Sequence, residues 1–408
     1  MSNDNEFSAA SRQRGWGTAM LFTYTHLSHD LCSGLLSALL PLIKEGLGIT
    51  YLQSGFLLSA YTITSGLSQI PCGWLGDRIR KNIILAVGLG GVGLATLAIG
   101  LSPSYYPMIA VLIIMGLFSG GYHPSAVPIL SGYYEEARRG RVIALHMVGG
   151  SIGFSIGPLL GGLIAEHLGW RFAFIILSLP ALCAVPLIIK KFAIIEKLAG
   201  IISSQQPVDK RQVQTQTGTH KMSIGEVLRP LAIILSLCVT MQLIAGVAMS
   251  FAPLYLVGRH GIAPAFAAVL VGIMRFGGIS GSLLGGWLSD RWGRKQAIFV
   301  SLVGTGPVLY LITVLPYNAG LIVVLILFGM SRYMTQATMQ PYLMSRTPPY
   351  IRGIIFGIYF GLGMEGQSLI LPVAGHFMDI YGITSVFAVI AMVSAGLSLV
   401  TLLLAKRA

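Results

Sequence analysis

The sequence predicts an all-α membrane protein of twelve spanning helices arranged as two six-helix repeats, on three observations. Of its 408 residues, 54% are hydrophobic and only 10% are charged, against about 25% charged in an ordinary soluble domain. So little charge would not coat the two or three soluble domains that a chain of this length forms. The apolar residues fall into runs near the length of about 20 residues that a spanning helix needs. Finally, the two halves of the chain match each other at an offset of 213 residues.

The apolar runs lie near 17–42, 53–75, 83–102, 105–131, 142–166 and 170–189, then near 230–256, 263–288, 296–315, 319–344, 354–376 and 381–404. The segment Met1 to Gly15 is polar. The run after it is longer than a signal-peptide core and lacks a small-residue cleavage site, so it reads as a retained first helix. The domains expected are a six-helix bundle over 1–189, a cytoplasmic linker over 190–229 and a second bundle over 230–408. The linker starts with Lys190, Lys191 and Lys197 around apolar residues, a pattern for a basic amphipathic helix at the lipid surface. Its glutamine-rich middle reads as a flexible tether.

A net charge of +13 raises a nucleic-acid reading, which the placement of the charges removes. With the N-terminus inside, 22 of the 27 cations fall on the inner side. Lys44, Arg171 and Arg259 fall outside, while Arg275 and Arg332 lie within spans. That is the positive-inside pattern, with both termini cytoplasmic in the cell (inner) membrane. Cys32, Cys72, Cys183 and Cys238 stand singly in apolar runs, so neither a disulfide nor a metal site is expected, nor any cofactor.

The repeat is carried by pairs that composition alone does not produce. Gly73-Trp74-Leu75-Gly76-Asp77-Arg78 matches Gly286-Trp287-Leu288-Ser289-Asp290-Arg291, and Arg139-Gly140 matches Arg352-Gly353. Pro128 meets Pro341, Gly162 meets Gly375 and Glu166 meets Asp379. Six helices followed by six in the same orientation is a transporter arrangement.

On these residues the chain resembles the major facilitator superfamily over nearly its whole length. The loop signature Gly-x-Leu-x-Asp-Arg-x-Gly-Arg-Lys is complete from Gly286 to Lys295, through Asp290, Arg291 and Arg294. The first copy, with Gly73, Asp77 and Arg78, has Arg80 where the second has Gly293. The Asp in such a loop is suited to cap a helix or pair with cations, latching the halves on the cytoplasmic side; a purely topological loop is the other reading. Gly153, Gly157, Pro158, Gly161 and Gly162 resemble the signature of proton-coupled drug antiporters in that superfamily, though close helix packing accounts for the glycines equally well.

Ionisable groups inside lipid are costly and point to function. Asp30, Arg275, Arg332 and Glu365 lie roughly 16–20 Å from the cytoplasmic ends of their spans, with His29 beside them and His26 and His123 shallower. His26, His29 and Asp30 share one helix face, and Gln336 stands one turn from Arg332. Two acids against two arginines is a formally balanced set. His29, Asp30, His123 and Glu365 are the candidate proton-coupling groups, adjacent acid and imidazole being suited to proton exchange. His26, Arg275, Arg332 and Gln336 are the candidate substrate contacts. The arginines and Glu365 serve equally as mutual counter-ions, and His26 and Gln336 as hydrogen-bonding partners between helices. His146 and His376 fall near the interfaces and carry no expected role. The segments around His29-Asp30 and His123-Pro124 resemble the fosmidomycin-resistance efflux group.

The expected function is a proton-coupled exporter of a small anionic or amphipathic, drug-like solute, acting as a monomer with protons and the lipid bilayer as its other partners. The alternative is a proton symporter importing an organic anion. A non-transporting sensor would need a longer soluble segment than 190–229. No nucleophile triad, metal-ligand or phosphate-loop spacing points to an enzyme.

Overall fold

The computed structural model describes residues 16–76, 78–203, 224–348, 351, 355, 358, 359 and 361–405, and their regular structure is helical. The first half holds α1 (Trp16–Ala38), α2 (Leu40–Leu47), α3 (Tyr51–Gly76) and α4 (Lys81–Leu101). It continues with α5 (Tyr105–Ser119), α6 (Tyr122–Tyr133), α7 (Glu136–Leu168) and α8 (Trp170–Ser203). The second half holds α9 (Ile224–His260), α10 (Pro264–Trp292), α11 (Arg294–Val314) and α12 (Ala319–Arg346). It ends with a π turn (Gly361–Glu365), α13 (Gln367–Tyr381) and α14 (Ile383–Ala405).

Nine of the described helical segments are long and apolar enough to cross a membrane. The runs at α1, α3 and α13 fall outside that set for visible reasons. With 23 and 26 residues, α1 and α3 are long enough, but α1 carries His26, His29 and Asp30, and α3 alternates Ser, Thr, Gln and Tyr with its apolar residues. After the π turn, α13 has only 15 residues. The predicted run 105–131 is broken at Gly120–Gly121, between α5 and α6. The start of the expected linker continues α8 without a break to Ser203, its end is already α9, and its middle, 204–223, lies outside the described residues.

Backbone geometry carries the repeat. Gly48 and Gly261, 213 residues apart, end their helices at φ 62° and 63°, a conformation open to glycine at no steric cost. Gly169 and Gly382 match at 85° and 78°. The exception is the loop where the sequences differ. Gly293 turns at φ 97°, whereas Arg80 in the equivalent place is extended at φ −62°. Arg80 is therefore a true substitution, and it remakes the turn.

Packing is inverted relative to a soluble protein. Leu67, Ile70, Leu94, Leu283 and Leu369 stand exposed, a surface that lipid covers, while Thr25, Ser28, His26, His29 and Arg275 are buried. Small residues bring the backbones together. A Cβ on Gly149, Gly153 or Gly157 of α7 would lie 2.3, 2.1 or 2.6 Å from the carbonyl oxygens of Thr23, Leu27 or Leu31 in α1. Three glycines four residues apart thus face three carbonyls four residues apart.

Candidate functional site

Helix α1 supplies the charged centre. The carboxylate of Asp30 sits between two imidazoles: His29 Nδ1 is 2.7 Å from Oδ1 and His26 Nε2 is 3.3 Å from Oδ2. Both rings are buried, and Asp30 keeps 19% of its side chain exposed. The spacing predicted on the sequence puts all three on one face, as found. Other helices hold the rings in place. His26 Nδ1 lies 2.8 Å from the carbonyl oxygen of His146 on α7, and His26 stacks on the His146 ring at 4.3 Å between centroids. His29 stacks on Tyr122 of α6 at 4.6 Å, and its Nε2 lies 3.1 Å from Ser119 Oγ at the end of α5. His123 closes the cluster, its ring 5.3 Å from His26 and 5.2 Å from His29.

His26, a candidate substrate contact on the sequence, has Asp30 as its side-chain partner. His146, given no role on the sequence, is buried; its Nδ1 donates to the Phe22 carbonyl at 3.0 Å, and its Nε2 has no partner. Spacing in sequence indicated no metal set, yet His26, Asp30 and His123 each offer a ligand atom within 4.8 Å of the others.

Neither arginine pairs with Asp30. Arg275 of α10 reaches out of its own half: Nη1 donates to the carbonyls of Gly34 in α1 and Phe154 in α7, both at 3.0 Å. Its Nη2 donates to Ser37 Oγ at 2.7 Å, and the guanidinium lies over the Phe154 ring at 3.9 Å. Arg332 of α12 donates to Gln242 Oε1 on α9, and Gln242 Nε2 donates to Tyr359 Oη at 2.6 Å. Neither arginine has a carboxylate within ion-pair distance among the described residues. Among the described residues, backbone carbonyls, a serine hydroxyl and an amide take the guanidinium hydrogens in place of Asp30. Each arginine nevertheless keeps a buried Nε without a partner. Gln336 is partly buried one turn from Arg332, and the Glu365 side chain lies outside the described residues.

The two polar centres occupy equivalent places in the repeat. At the offset of 213, His29 corresponds to Gln242, Ser119 to Arg332, His146 to Tyr359 and His123 to Gln336. The contact of His29 with Ser119 in the first half is therefore repeated as Gln242 with Arg332 in the second. One copy has become an acid–imidazole centre and the other a guanidinium centre. Reading polar residues, and not only glycines, at that offset would have found Ser119, His146, Gln242 and Tyr359, which sequence reasoning missed.

The halves meet at the end where α3 and α10 begin. Ser59 donates to the Ser368 carbonyl, and a Cβ on Gly375 would lie 2.2 Å from the Tyr51 carbonyl oxygen. Asp379 accepts from the amides of Tyr51 and Leu52 at 2.8 and 2.9 Å, capping α3 from the other half. On the matching α7–α10 seam, a Cβ on Gly162 would lie 2.5 Å from the Ala265 carbonyl. There Glu166 takes the place of Asp379, but Tyr51 is replaced by Pro264, which has no amide to donate. Asp379→Ala is expected to weaken the α3–α13 seam by about 1 kcal/mol, the usual worth of a cap. Cross-linking yield between cysteines placed at 52 and 378 measures it.

At the other end Arg78, just past the end of α3, lies over the Trp74 ring at 3.7 Å, and Arg291 lies over Trp287 of its own helix at 5.4 Å. Arg294 donates to the Pro341 carbonyl at 3.1 Å within its own half, and Asp290 is exposed with no ion pair among the described residues. Asp77 lies outside the described residues. Gly73 and Gly286 face open space. In the antiporter-like motif, Gly153 and Gly157 pack on α1, Pro158 lies against the Gly34 position, Gly161 meets Leu35, and Gly162 touches the second half.

A family model described as the Major Facilitator Superfamily matches residues 23–370. The chain belongs to the major facilitator superfamily. The Fosmidomycin resistance protein of Escherichia coli (strain K12) is 23% identical over 375 residues, covering 90% of this chain and 89% of that one. The Multidrug resistance protein MdtG of Escherichia fergusonii is 27% identical over 281 residues, covering 66% and 65%. Among solved structures, a bacterial homologue of the human lysosomal transporter Spinster superposes with a TM-score of 0.72 at 16% identity, over 94% of this chain and 96% of that one. This superfamily member is a multi-pass membrane transporter of small molecules and not an enzyme.

Proposed function

We propose that the protein is a proton-coupled exporter of a small anionic or amphipathic, drug-like solute, working by alternating access as a monomer. In this reading twelve spans form two six-helix bundles, 1–189 and 230–408, joined by a cytoplasmic linker, in the cell (inner) membrane with both termini in the cytoplasm. The observation that carries the reading is Asp30, a carboxylate inside a spanning helix whose partners are His26 and His29. An ionised acid there is costly unless matched, so its charge is the natural object for a proton to cancel. The names of two relatives, a Fosmidomycin resistance protein and a Multidrug resistance protein, support export of drug-like compounds.

The two polar centres divide the work. Arg332, held by Gln242 and with Gln336 one turn away, offers a cation to an acidic group of the solute on the outward leg. Asp30, with His29, His26 and His123, takes a proton on the return leg, and Glu365 belongs to the same set. Proton entry is downhill by about 2.3 kcal/mol per 100 mV of membrane potential. Since Asp30 does not touch an arginine, the centres compete through the field and through closure of the cavity, not by exchange of one ion-pair partner. Arg275, spent on carbonyls of the first half, acts as a clamp between the halves.

Everted membrane vesicles with an imposed proton gradient test this, with fosmidomycin and a panel of carboxylates, phosphonates and cationic drugs as probes. Asp30→Asn is expected to abolish gradient-driven uptake into such vesicles while leaving solute–solute exchange. Unchanged gradient-driven uptake in Asp30→Asn would sink the assignment, and uptake only into right-side-out vesicles would replace export by import.

A further inference from the structure

Building on the proton-coupled reading, we infer that the coupling proton is carried in the gap between His26 Nε2 and Asp30 Oδ2, and that His29 is a neutral positioning residue. The argument is a count of hydrogens. His26 Nδ1 lies 2.8 Å from the carbonyl oxygen of His146. A carbonyl only accepts, so Nδ1 carries a hydrogen. A neutral ring with its hydrogen on Nδ1 presents a bare lone pair at Nε2. That lone pair faces Asp30 Oδ2 at 3.3 Å, and an ionised carboxylate offers only lone pairs in return. Two acceptors face each other until one more proton enters, on the ring or on the carboxyl.

His29 has no such need. Its Nδ1 is 2.7 Å from Asp30 Oδ1 and its Nε2 is 3.1 Å from Ser119 Oγ. A neutral ring with its hydrogen on Nδ1 donates to the carboxylate and accepts from the serine hydroxyl. Ser65 Oγ in turn donates to Ser119 at 3.3 Å, so the donors run in one direction and end on Asp30. His146 also carries its hydrogen on Nδ1, donated to the Phe22 carbonyl, and its Nε2 has no partner. Of these three rings, His26 alone meets the acid with the wrong nitrogen.

The surroundings suit a proton that must come and go. A Cβ on Gly150 would lie 2.5 Å from His26 Nε2 and 2.8 Å from Asp30 Oδ2, so a glycine backbone covers the gap on the α7 side. Asp30 keeps its partial exposure and His123 beside it is exposed, which leaves a way in. The titratable groups facing the pair are His29 on α1, Tyr122 and His123 on α6, and His146 on α7, with Tyr333 of α12 at longer range from Asp30. None of these contacts supplies a hydrogen to His26 Nε2.

Nitrogen-15 spectra of the purified, histidine-labelled full chain test the placement without any substrate. The expected result is that His26 carries hydrogen on Nδ1 throughout and gains or loses it at Nε2 as pH is varied, while His29 stays a neutral Nδ1–H ring. Asp30→Asn should abolish that step at His26. A His29 that becomes doubly protonated, or a His26 whose Nδ1 is bare, overturns the inference. In the vesicle assay His26→Gln should lose gradient-driven uptake; a His26→Gln protein that keeps it overturns the inference while leaving the role of Asp30 intact. Unchanged transport in Asp30→Asn instead removes the proton-coupled reading itself, whatever the spectra show of His26.

Discussion

Arg275→Glu is expected to hold the transporter open at the end where α3 and α10 begin. In the parent, two guanidinium nitrogens reach three acceptors on two helices of the opposite half: the carbonyls of Gly34 and Phe154 and the hydroxyl of Ser37. A carboxylate in that place would face two carbonyl oxygens with nothing to donate. An uncompensated buried charge costs about 3–5 kcal/mol, enough to shift the balance of closed and open states by roughly a thousandfold. A membrane-impermeant thiol reagent reads this out at Ser59→Cys in the α3–α13 seam, with the four native cysteines removed. Reactivity should rise strongly in Arg275→Glu.

Arg275→Met separates the hydrogen-bond clamp from mere filling of space. Methionine fills the space and donates nothing, so the bonds to the first half disappear with the charge. The methionine variant should therefore close less well than the parent but better than the glutamate variant. Lysine is the poor substitute, since a single ammonium on a flexible stem does not reproduce the planar fork that spans both helices. If Glu, Met and Lys all leave the Ser59→Cys reactivity unchanged, Arg275 does not clamp the halves. On the sequence Arg275 is a candidate substrate contact or a counter-ion; its bonds to the first half suit closure.

What is legible in the sequence follows from how local each cause is. Apolar runs and the 213-residue offset need only neighbours along the chain, and they return the helices, the helix-ending glycines and the shared face of His26, His29 and Asp30. Breaks inside a run are less visible. The interruption at Gly120–Gly121 follows from close contact with α3, where a Cβ on Gly120 would lie 1.9 Å from Ser68 Oγ. Partners across helices are not legible from formal charge. Counting acids against arginines pairs Asp30 with a guanidinium, whereas imidazoles reach it first and carbonyls satisfy Arg275. His146 is missed for the same reason: its contribution to His26 is a backbone carbonyl, which every residue has. Ser119 and Gln242 become visible only when the repeat is read at polar positions, where the two halves have kept a contact and exchanged its chemistry.

Two glycines drawn from the two sequence motifs should respond to alanine in opposite ways. Gly153→Ala would place a Cβ 2.1 Å from the Leu27 carbonyl oxygen and 2.9 Å from its Cα. Those are backbone atoms in the middle of α1, so the helices must separate rather than a side chain turn aside. Overpacking of this kind costs about 1–3 kcal/mol. It also spreads α1 from α7 at the level where His26 meets the His146 carbonyl, so transport should fall with stability. Gly73→Ala meets nothing within 4 Å, and in a helix it relieves a backbone penalty of up to about 1 kcal/mol. Thermal unfolding in detergent should therefore fall for Gly153→Ala and hold or rise for Gly73→Ala. A Gly153→Ala protein as stable as the parent would mean that α1 and α7 are not held by this backbone contact. The outcome bears on what an antiporter-like glycine motif is for, because here its first glycine acts by letting α7 lie against the helix that carries the acid.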